Sequence, residues 1–525
     1  MNSILLSTLI FLPLVGSLLI LLLPDSFRSS YKWIAVVVSI LNLLNVLTVY
    51  SAFDTAKGGY QFVQHAEWIR LKLGTLGYVS VDFLLGIDGI SMPMVLLSGI
   101  VLCVGAVASF TIRHRQKAYF ALYCLLSASV MGAFISIDFF LFFLFFEFML
   151  LPMYFLIGIW GGERREYAAL KFFIYTLVGS VFILIVMIGL SMSVADPFFS
   201  DELGAIVHSF DFRVLANEAN YLPDRLLHPD STATILGMPA REFMFMLLFI
   251  GFGIKLPMVP FHTWLPDAHV EAPTAVSVVL AGVLLKIGGY GFLRIGYGIM
   301  PDTAYQFTYW IAGAGVLSII YGALNALAQT DLKKMVAYSS VSHMGFVFLG
   351  FASVTSEGFS GGIYQMFSHG LLSAMLFLIV GVIYDRTHSR QIADFQGIFG
   401  KMPLYTFAVA VAFFGALGLP ALSGFIGEFF TLMGAFQTHL FPSWVALLGA
   451  LGIVLSAVYF LWTFQRMFLG EFKTAPGFAE KLTDLDNREM IMLFSLALLV
   501  VTFGIFPNLL FDLTNETISY LLTRF

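Results

Sequence analysis

The chain has 525 residues, 59% of them hydrophobic and 11% charged, with a mean hydropathy of +0.90. Soluble domains carry about 25% charged residues, so a soluble fold is excluded and the chain reads as a polytopic membrane protein. A net charge of -5 is small for this length and gives no reason to expect nucleic acid as a partner. The two cysteines, Cys103 and Cys124, lie inside apolar runs and are too few for a disulfide framework or a zinc site.

A membrane-spanning helix needs about 20 apolar residues. Fourteen stretches qualify in chain order: 3–23, 31–52, 84–110, 118–137, 139–160, 170–193, 240–265, 273–299, 306–328, 334–354, 362–384, 404–433, 443–469 and 489–510. The first, Ile4 to Leu23, lacks a basic start and a small-residue cleavage site, so it reads as a span and not as a removable leader. The loops 53–83 and 194–239 hold most of the polar sequence. Most of the 27 Lys and Arg residues fall in loops after odd-numbered segments. The positive-inside rule therefore places those loops in the cytoplasm and both termini outside.

Two stretches are unusual. Segment 7 contains Gly251-Phe-Gly-Ile-Lys-Leu-Pro-Met-Val-Pro260, and segment 12 contains Gly418-Leu-Pro-Ala-Leu-Ser-Gly-Phe-Ile-Gly-Glu428. Proline lacks the N–H that bonds the carbonyl four residues back, so Pro257 should free Gly253 and Pro420 should free Ala416. Both segments are predicted to be broken helices lining protein or water. They lie five segments apart, which points to inverted five-helix repeats over segments 4–8 and 9–13 with an ion site between them. The expected fold is all-α with about 14 transmembrane helices in a single domain. It comprises N-terminal helices (1–110), a first repeat (118–299), a second repeat (306–469) and a C-terminal helix (489–510).

Four charged residues sit well inside apolar segments: Glu147, Lys255, Lys286 and Glu428. A charge at the helix centre costs about 2.5–3.5 kcal/mol on insertion scales, so such residues face water, one another or a moving ion. Glu147 lies in Phe142-Phe-Leu-Phe-Phe-Glu-Phe-Met-Leu-Leu-Pro152, with no side chain within a turn to bond it. It reads as a proton-binding carboxylate paired with Lys255, the plainer alternative being a structural ion pair. Lysine is a flexible point charge whose proton affinity falls on burial, so Lys255 and Lys286 suit a relay. A lysine snorkelling to the headgroups is the alternative, and it fits Lys286 poorly. His343 and His369, on adjacent segments between Lys286 and Glu428, can take and release protons near neutral pH. A lone buried histidine is more often simply hydrogen-bonded. Glu428, just after the second break, reads as a terminal proton site or as a stabiliser of the break. His262, Asp267 and His269 form a polar turn after the first break, read as lining a water entrance and not as a metal site. Asp138 reads as a helix cap. No phosphate-binding, dinucleotide, iron–sulfur or haem motif is present in the sequence.

These residues lie in longer runs: 147–180, Pro260-Phe-His-Thr-Trp-Leu-Pro-Asp-Ala-His-Val-Glu-Ala-Pro-Thr274, Gln329-Thr-Asp-Leu-Lys-Lys-Met-Val-Ala-Tyr-Ser-Ser-Val-Ser-His-Met-Gly345 and Tyr384-Asp-Arg-Thr-His-Ser-Arg390. Through them the chain closely resembles the antiporter-like subunits of bacterial respiratory complex I, NADH:quinone oxidoreductase. The M-type, counterpart of mitochondrial subunit 4, is the nearest match, and the resemblance runs over essentially the whole chain. The same core occurs in L- and N-type subunits and in Mrp-type antiporters. Glu428, where those relatives usually carry lysine, favours the M-type. So does the short stretch after segment 14, where L-types continue into a long lateral helix.

The resemblance implies a proton relay through Glu147, Lys255, Lys286, His343, His369 and Glu428. It implies no cofactor in this chain, with NADH, flavin, iron–sulfur clusters and quinone used by other subunits. The implied partners are L-type and N-type subunits of the membrane arm, the lipid bilayer and protons. The implied location is the bacterial inner membrane, with both termini periplasmic. A subunit of an Mrp-type cation/proton antiporter or of a membrane-bound hydrogenase is the alternative.

Overall fold

Twelve helices are long and apolar enough to cross a membrane among residues 4–525, which the computed structural model describes. Residue 3, where the first span was expected to begin, lies outside the described residues. Helices α1 (Leu5–Leu22) and α2 (Tyr31–Ala52) lead into a β-hairpin, β1 (Gln61–Lys72) and β2 (Tyr78–Ile87). The hairpin turns at Gly74 (φ 59°) and Gly77 (φ 98°), backbone conformations open to glycine. A third strand, β3 (Val207–Ser209), adds parallel to β2 and joins the two longest loops. The all-α expectation is therefore corrected by a three-stranded sheet. The span expected over 84–110 is also corrected. Its first residues belong to β2, and α3 (Ser91–Ala108) starts only after Asp88, whose Oδ1 accepts the N–H groups of Ile90 and Ser91 at 3.0 Å. A continuous apolar run does not distinguish a buried strand from a helix.

The chain continues through α4 (Gln116–Ile135), α5 (Phe139–Phe148), α6 (Leu150–Trp160) and α7 (Arg165–Ser191). Asp138 caps α5 as expected, accepting Leu141 N–H at 2.8 Å. The 194–239 loop holds two short helices, α8 (Pro197–Leu203) and α9 (Phe212–Leu215), each started by an aspartate cap.

The first interrupted segment is α10 (Ala240–Lys255) followed by α11 (Trp264–Glu271). The carbonyl of Gly253, expected to be free, accepts Met258 N–H at 2.7 Å. The chain turns sharply after Pro257, so the next available donor replaces the one proline lacks. Ile254 C=O is taken by Trp264 Nε1 at 2.9 Å.

The following span alternates helix types. α12 (Thr274–Val279) and α13 (Leu285–Gly291) are separated by a π turn at 280–284 and followed by another at 292–297. Then come α14 (Pro301–Gln306), α15 (Thr308–Leu327), α16 (Leu332–Ala352) and α17 (Ser356–Thr387). The second interrupted segment is α18 (Pro403–Ala416) and α19 (Ser423–Gln437), with Gly418 and Ala421 at φ 81° and 74° in the break. α20 (Ser443–Phe468), α21 (Asn487–Ile505) and α22 (Asn508–Leu522) complete the chain. α22 is a further helix beyond the expected C-terminal one.

Burial sorts these helices into an inner and an outer set. The most apolar window of α12–α13 and that of α17 are 100% buried and that of α16 is 94% buried, against 39% for α1, α2, α7 and α20. The outer set turns leucines and valines such as Leu18, Val37 and Leu44 outward, as a lipid-facing or partner-facing surface requires. The inner set carries Lys286, His343 and His369. Close approach there depends on small residues. A Cβ at Gly345 would lie 2.6 Å from Gly315 O and 2.8 Å from Ile319 N, both backbone atoms of α15.

Gly345→Ala should accordingly push α15 from α16 beside His343, at the roughly 1–3 kcal/mol typical of overpacking. A lower thermal midpoint of the purified protein is the expected reading. An unchanged midpoint would show that the two backbones can separate freely.

Candidate functional site

Lys286 lies on α13 and is fully buried. A π turn shifts the backbone ladder by one residue, and Ala281 C=O, in the turn before it, accepts a hydrogen bond from Lys286 Nζ. The same Nζ is 2.7 Å from His369 Nδ1 on α17. The rings of His369 and His343 (α16) lie 5.5 Å apart between centroids. His343 Nδ1 is 3.0 Å from Glu428 Oε1 on α19. Glu428 is 1% exposed, and its second oxygen fills the space beside Gly418, where a Cβ would come within 2.8 Å of it. The missing side chain at Gly418 thus makes room for the carboxylate in the break.

Four of the six expected residues therefore form one string, Lys286–His369–His343–Glu428, crossing from the first half of the chain to the second. An ammonium has donors only, so a charged Lys286 requires His369 Nδ1 to accept and places the ring hydrogen on Nε2. A neutral His343 that donates through Nδ1 to Glu428 leaves its Nε2 as an acceptor. Among the described residues, that nitrogen is buried without a partner, as is Glu428 Oε2. The Lys286–His369 and His343–Glu428 junctions each have a donor facing an acceptor, and the two imidazole rings between them are neighbours without a direct hydrogen bond.

The other two residues are placed differently. Lys255 ends α10, is 2% exposed and has no hydrogen-bond partner for Nζ among the described residues. Its ammonium lies 4.4 Å from the centre of the Phe146 ring. Glu147 is therefore not in hydrogen-bond contact with Lys255, contrary to the expected pairing. α5 presents Phe146 to the lysine. The next residue, Glu147, is turned a further 100° or so around the helix and is only half-buried, between Phe146 and the exposed Phe148. Lys255 and Lys286 sit on helices that touch through Gly288, where a Cβ would meet Leu256 N at 2.8 Å and Lys255 Cβ at 3.1 Å.

The polar turn after the first break splits into separate roles. Asp267 accepts from Lys171 Nζ at 2.7 Å, and His262 packs against Tyr321 and Tyr338. His269 is fully buried, stacked 4.4 Å from Phe377 of α17, with neither ring nitrogen bonded among the described residues. It belongs to the core and not to the surface entrance the sequence placed it in.

The end of α11 is held by Lys333 Nζ on Ala272 O (2.6 Å), Arg390 Nη1 on Val270 O (2.7 Å) and Gly162 N on Glu271 O (2.9 Å). These groups line a cavity of about 680 Å³ on the face opposite the termini. The sequence does not single out Lys333, nor a buried Asp88–Arg294 pair near the termini. Arg294 stands eight residues after Lys286 in the same span. Among the described residues, no group of three or more His, Cys, Asp or Glu is placed to hold a metal ion.

The family model for the NADH:quinone oxidoreductase/Mrp antiporter transmembrane region matches residues 136–456, which include all six expected site residues. The chain belongs to this family. The NADH-quinone oxidoreductase subunit M of Rickettsia bellii is 39% identical over 99% of this chain and 98% of that protein. A chain of respiratory complex I from Thermus thermophilus superposes with a TM-score of 0.81 at 29% identity, covering 99% of this chain and 100% of that one. A chain of the Mrp complex from Dietzia shares the fold with a TM-score of 0.80 at 20% identity, covering 100% and 98%. The resemblance read from the sequence to M-type subunits is thus confirmed over the full length.

A buried cation kept for function should contribute little to stability. Lys286→Met removes the ammonium and leaves the His369 nitrogen and the Ala281 carbonyl without their donor, so opposing effects of about 1–3 kcal/mol nearly cancel. The thermal midpoint of the purified protein is expected to shift by only a few degrees. A large drop would make Lys286 an architectural residue.

Proposed function

We propose that this chain is a proton-translocating, antiporter-like subunit of the membrane arm of an NADH:quinone oxidoreductase of the respiratory complex I type. The observation that supports it most is the Lys286–His369–His343–Glu428 string, four titratable groups in sequence inside an otherwise apolar core. The subunit M relatives support the complex-level activity. Electron transfer takes place in other subunits, which hold NADH, flavin, iron–sulfur clusters and quinone, and this chain carries no redox centre. Its neighbours in the arm are L-type and N-type antiporter-like subunits. It lies in the bacterial inner membrane with both termini periplasmic, a reading supported by the loop distribution of Lys and Arg.

The topology we infer has fourteen passes, the two interrupted segments α10–α11 and α18–α19 joining the twelve long helices. Segments 4–8 and 9–13 are the inverted repeats, each with its fourth member interrupted.

In this reading Glu147 controls Lys255 from a distance. When its carboxylate approaches, the ammonium is held. When it withdraws, repulsion between Lys255 and Lys286 favours moving positive charge along the string. Lys286 gives a proton to His369 Nδ1 and becomes a neutral amine. The imidazolium passes a proton to His343, which delivers it through Nδ1 to Glu428, forming a neutral acid that then discharges. An Mrp-type antiporter or a membrane-bound hydrogenase shares this core. Co-purification in mild detergent separates the readings, since flavin and iron–sulfur subunits are expected with the first.

Proton uptake into reconstituted vesicles, driven by NADH and quinone and normalised to assembled complex, tests the string. Lys286→Ala should lower it by at least about 10²-fold, the usual worth of a positioned proton-transfer group. Lys286→Arg should not restore it, because arginine does not release its proton. Full pumping with arginine would reduce Lys286 to a fixed charge.

Glu428→Gln should abolish uptake, and Glu428→Asp should retain part of it, because only the latter titrates. Wild-type pumping by the glutamine variant would make Glu428 a stabiliser of the break.

A further inference from the structure

Lys286, Tyr290 and Arg294 recur every fourth residue and therefore share one face of their span. That face leads from the centre of the molecule towards the face holding the termini. Tyr290 OH donates to Phe134 O at 3.2 Å and lies 3.5 Å from Ser91 Oγ. Arg294 Nε donates to Tyr290 OH at 3.4 Å. Beyond it opens a cavity of about 820 Å³, lined by Tyr60, Asp88, Arg213, Glu218, Arg294 and Arg524. A polar ladder, hydrogen-bonded from Tyr290 to Arg294, thus leads from the side of the central lysine to a large opening, and one ion pair stands across it.

The guanidinium of that pair is saturated. Arg294 forks onto both oxygens of Asp88 at 2.5 Å and also donates to Ser91 Oγ (3.0 Å) and Tyr60 OH (3.3 Å). Its side chain is 7% exposed and that of Asp88 4%. Asp88 further accepts from Ile90 N, Ser91 N and Ser91 Oγ, each at 3.0 Å. A guanidinium has five donors, no acceptor and no accessible deprotonated form. A hydrogen-bonded chain that reaches it from either side stops, since nothing there can take a proton. Asp88 Oδ1 is filled by four donors, and Oδ2 is held in the fork by Arg294 Nη1.

We propose that the Asp88–Arg294 pair is a proton barrier, which keeps protons in the termini-face cavity from running back along Tyr290 to Lys286. This rests on the relay reading of Lys286, yet it is tested without any pumping. Arginine is used elsewhere in the same way, excluding protons from pores that pass water. The pair stands at the one point where the ladder meets the opening.

The test is passive proton conductance of vesicles holding assembled complex, with no NADH present. Asp88→Asn/Arg294→Gln replaces a donor-only plug by amides that accept as well as donate, and about tenfold higher conductance is expected. Arg294→Gln alone, in which Asp88 keeps its Ser91 and Ile90 donors, should also leak. Adding Tyr290→Phe to either leaky variant should restore tightness. The control is another ion pair near the termini, between the buried Arg241 and the partly exposed Asp302, joined at 2.8 and 2.9 Å. Arg241→Gln/Asp302→Asn should leave conductance at the wild-type level. An assembled, leak-tight Asp88→Asn/Arg294→Gln variant overturns the barrier. Equal leaks in both double variants overturn it too, since general loosening would explain them. So does failure of both Arg294 variants to assemble while the control assembles, because the pair is then architectural. NADH-driven pumping, measured separately, reports on the relay reading itself.

Discussion

The contact between Lys286 and His369 is the constraint from which much of this structure follows. An ammonium removed from water needs acceptors at hydrogen-bond distance, and a helix interior offers none because its carbonyls are already used. The protein supplies two. A π turn makes Ala281 C=O available, and the neighbouring helix supplies an imidazole at 2.7 Å. Both must be held without water entering freely, and so the helices that carry them are the most deeply buried in the molecule.

That burial has a geometric cost, met by glycine and by interruption. Gly315 and Gly345 bring α15 and α16 into backbone contact, Gly288 lets α13 lie against the end of α10, and Gly418 leaves room for a carboxylate. The breaks after Lys255 and before Glu428 set these groups near backbone that has left the regular ladder. At the first break two carbonyls find donors, Gly253 O in Met258 N and Ile254 O in the Trp264 indole. The first interruption therefore creates polar space while keeping these two carbonyls paired.

Much of this was legible in the sequence because charge inside an apolar run is a loud signal. Lys286, His343, His369 and Glu428 stood out by position alone, and the structure brings them together. Prolines and glycines marked both interruptions. What stayed hidden depended on side-chain direction and on long-range pairing. Hydropathy cannot tell that Phe146 and not Glu147 faces Lys255, since one residue rotates the helix by about 100°. Nor does it show that the apolar start of the third stretch is a strand, paired with sequence some 20 residues earlier. His269 looked like part of a polar turn because its neighbours are polar. Its burial comes from Phe377, more than a hundred residues away.

The arrangement also fixes the direction in which charge can move. Along the first-half helices, Phe142, Phe146, Phe252 and Tyr290 pack ring against ring beside Lys255. That cluster holds no titratable group but the tyrosine, and the tyrosine leads to the saturated Arg294. Movement along the membrane normal is therefore opposed near Lys255 and Lys286. Sideways, in contrast, successive helices each contribute one group: α10 gives Lys255, α13 Lys286, α17 His369, α16 His343 and α19 Glu428. A proton at the centre finds its next acceptor on the adjacent helix and not on the next turn of its own. In the proposed relay, charge displaced at one edge of this chain moves within the membrane plane before it is released, as coupling to neighbouring modules would require.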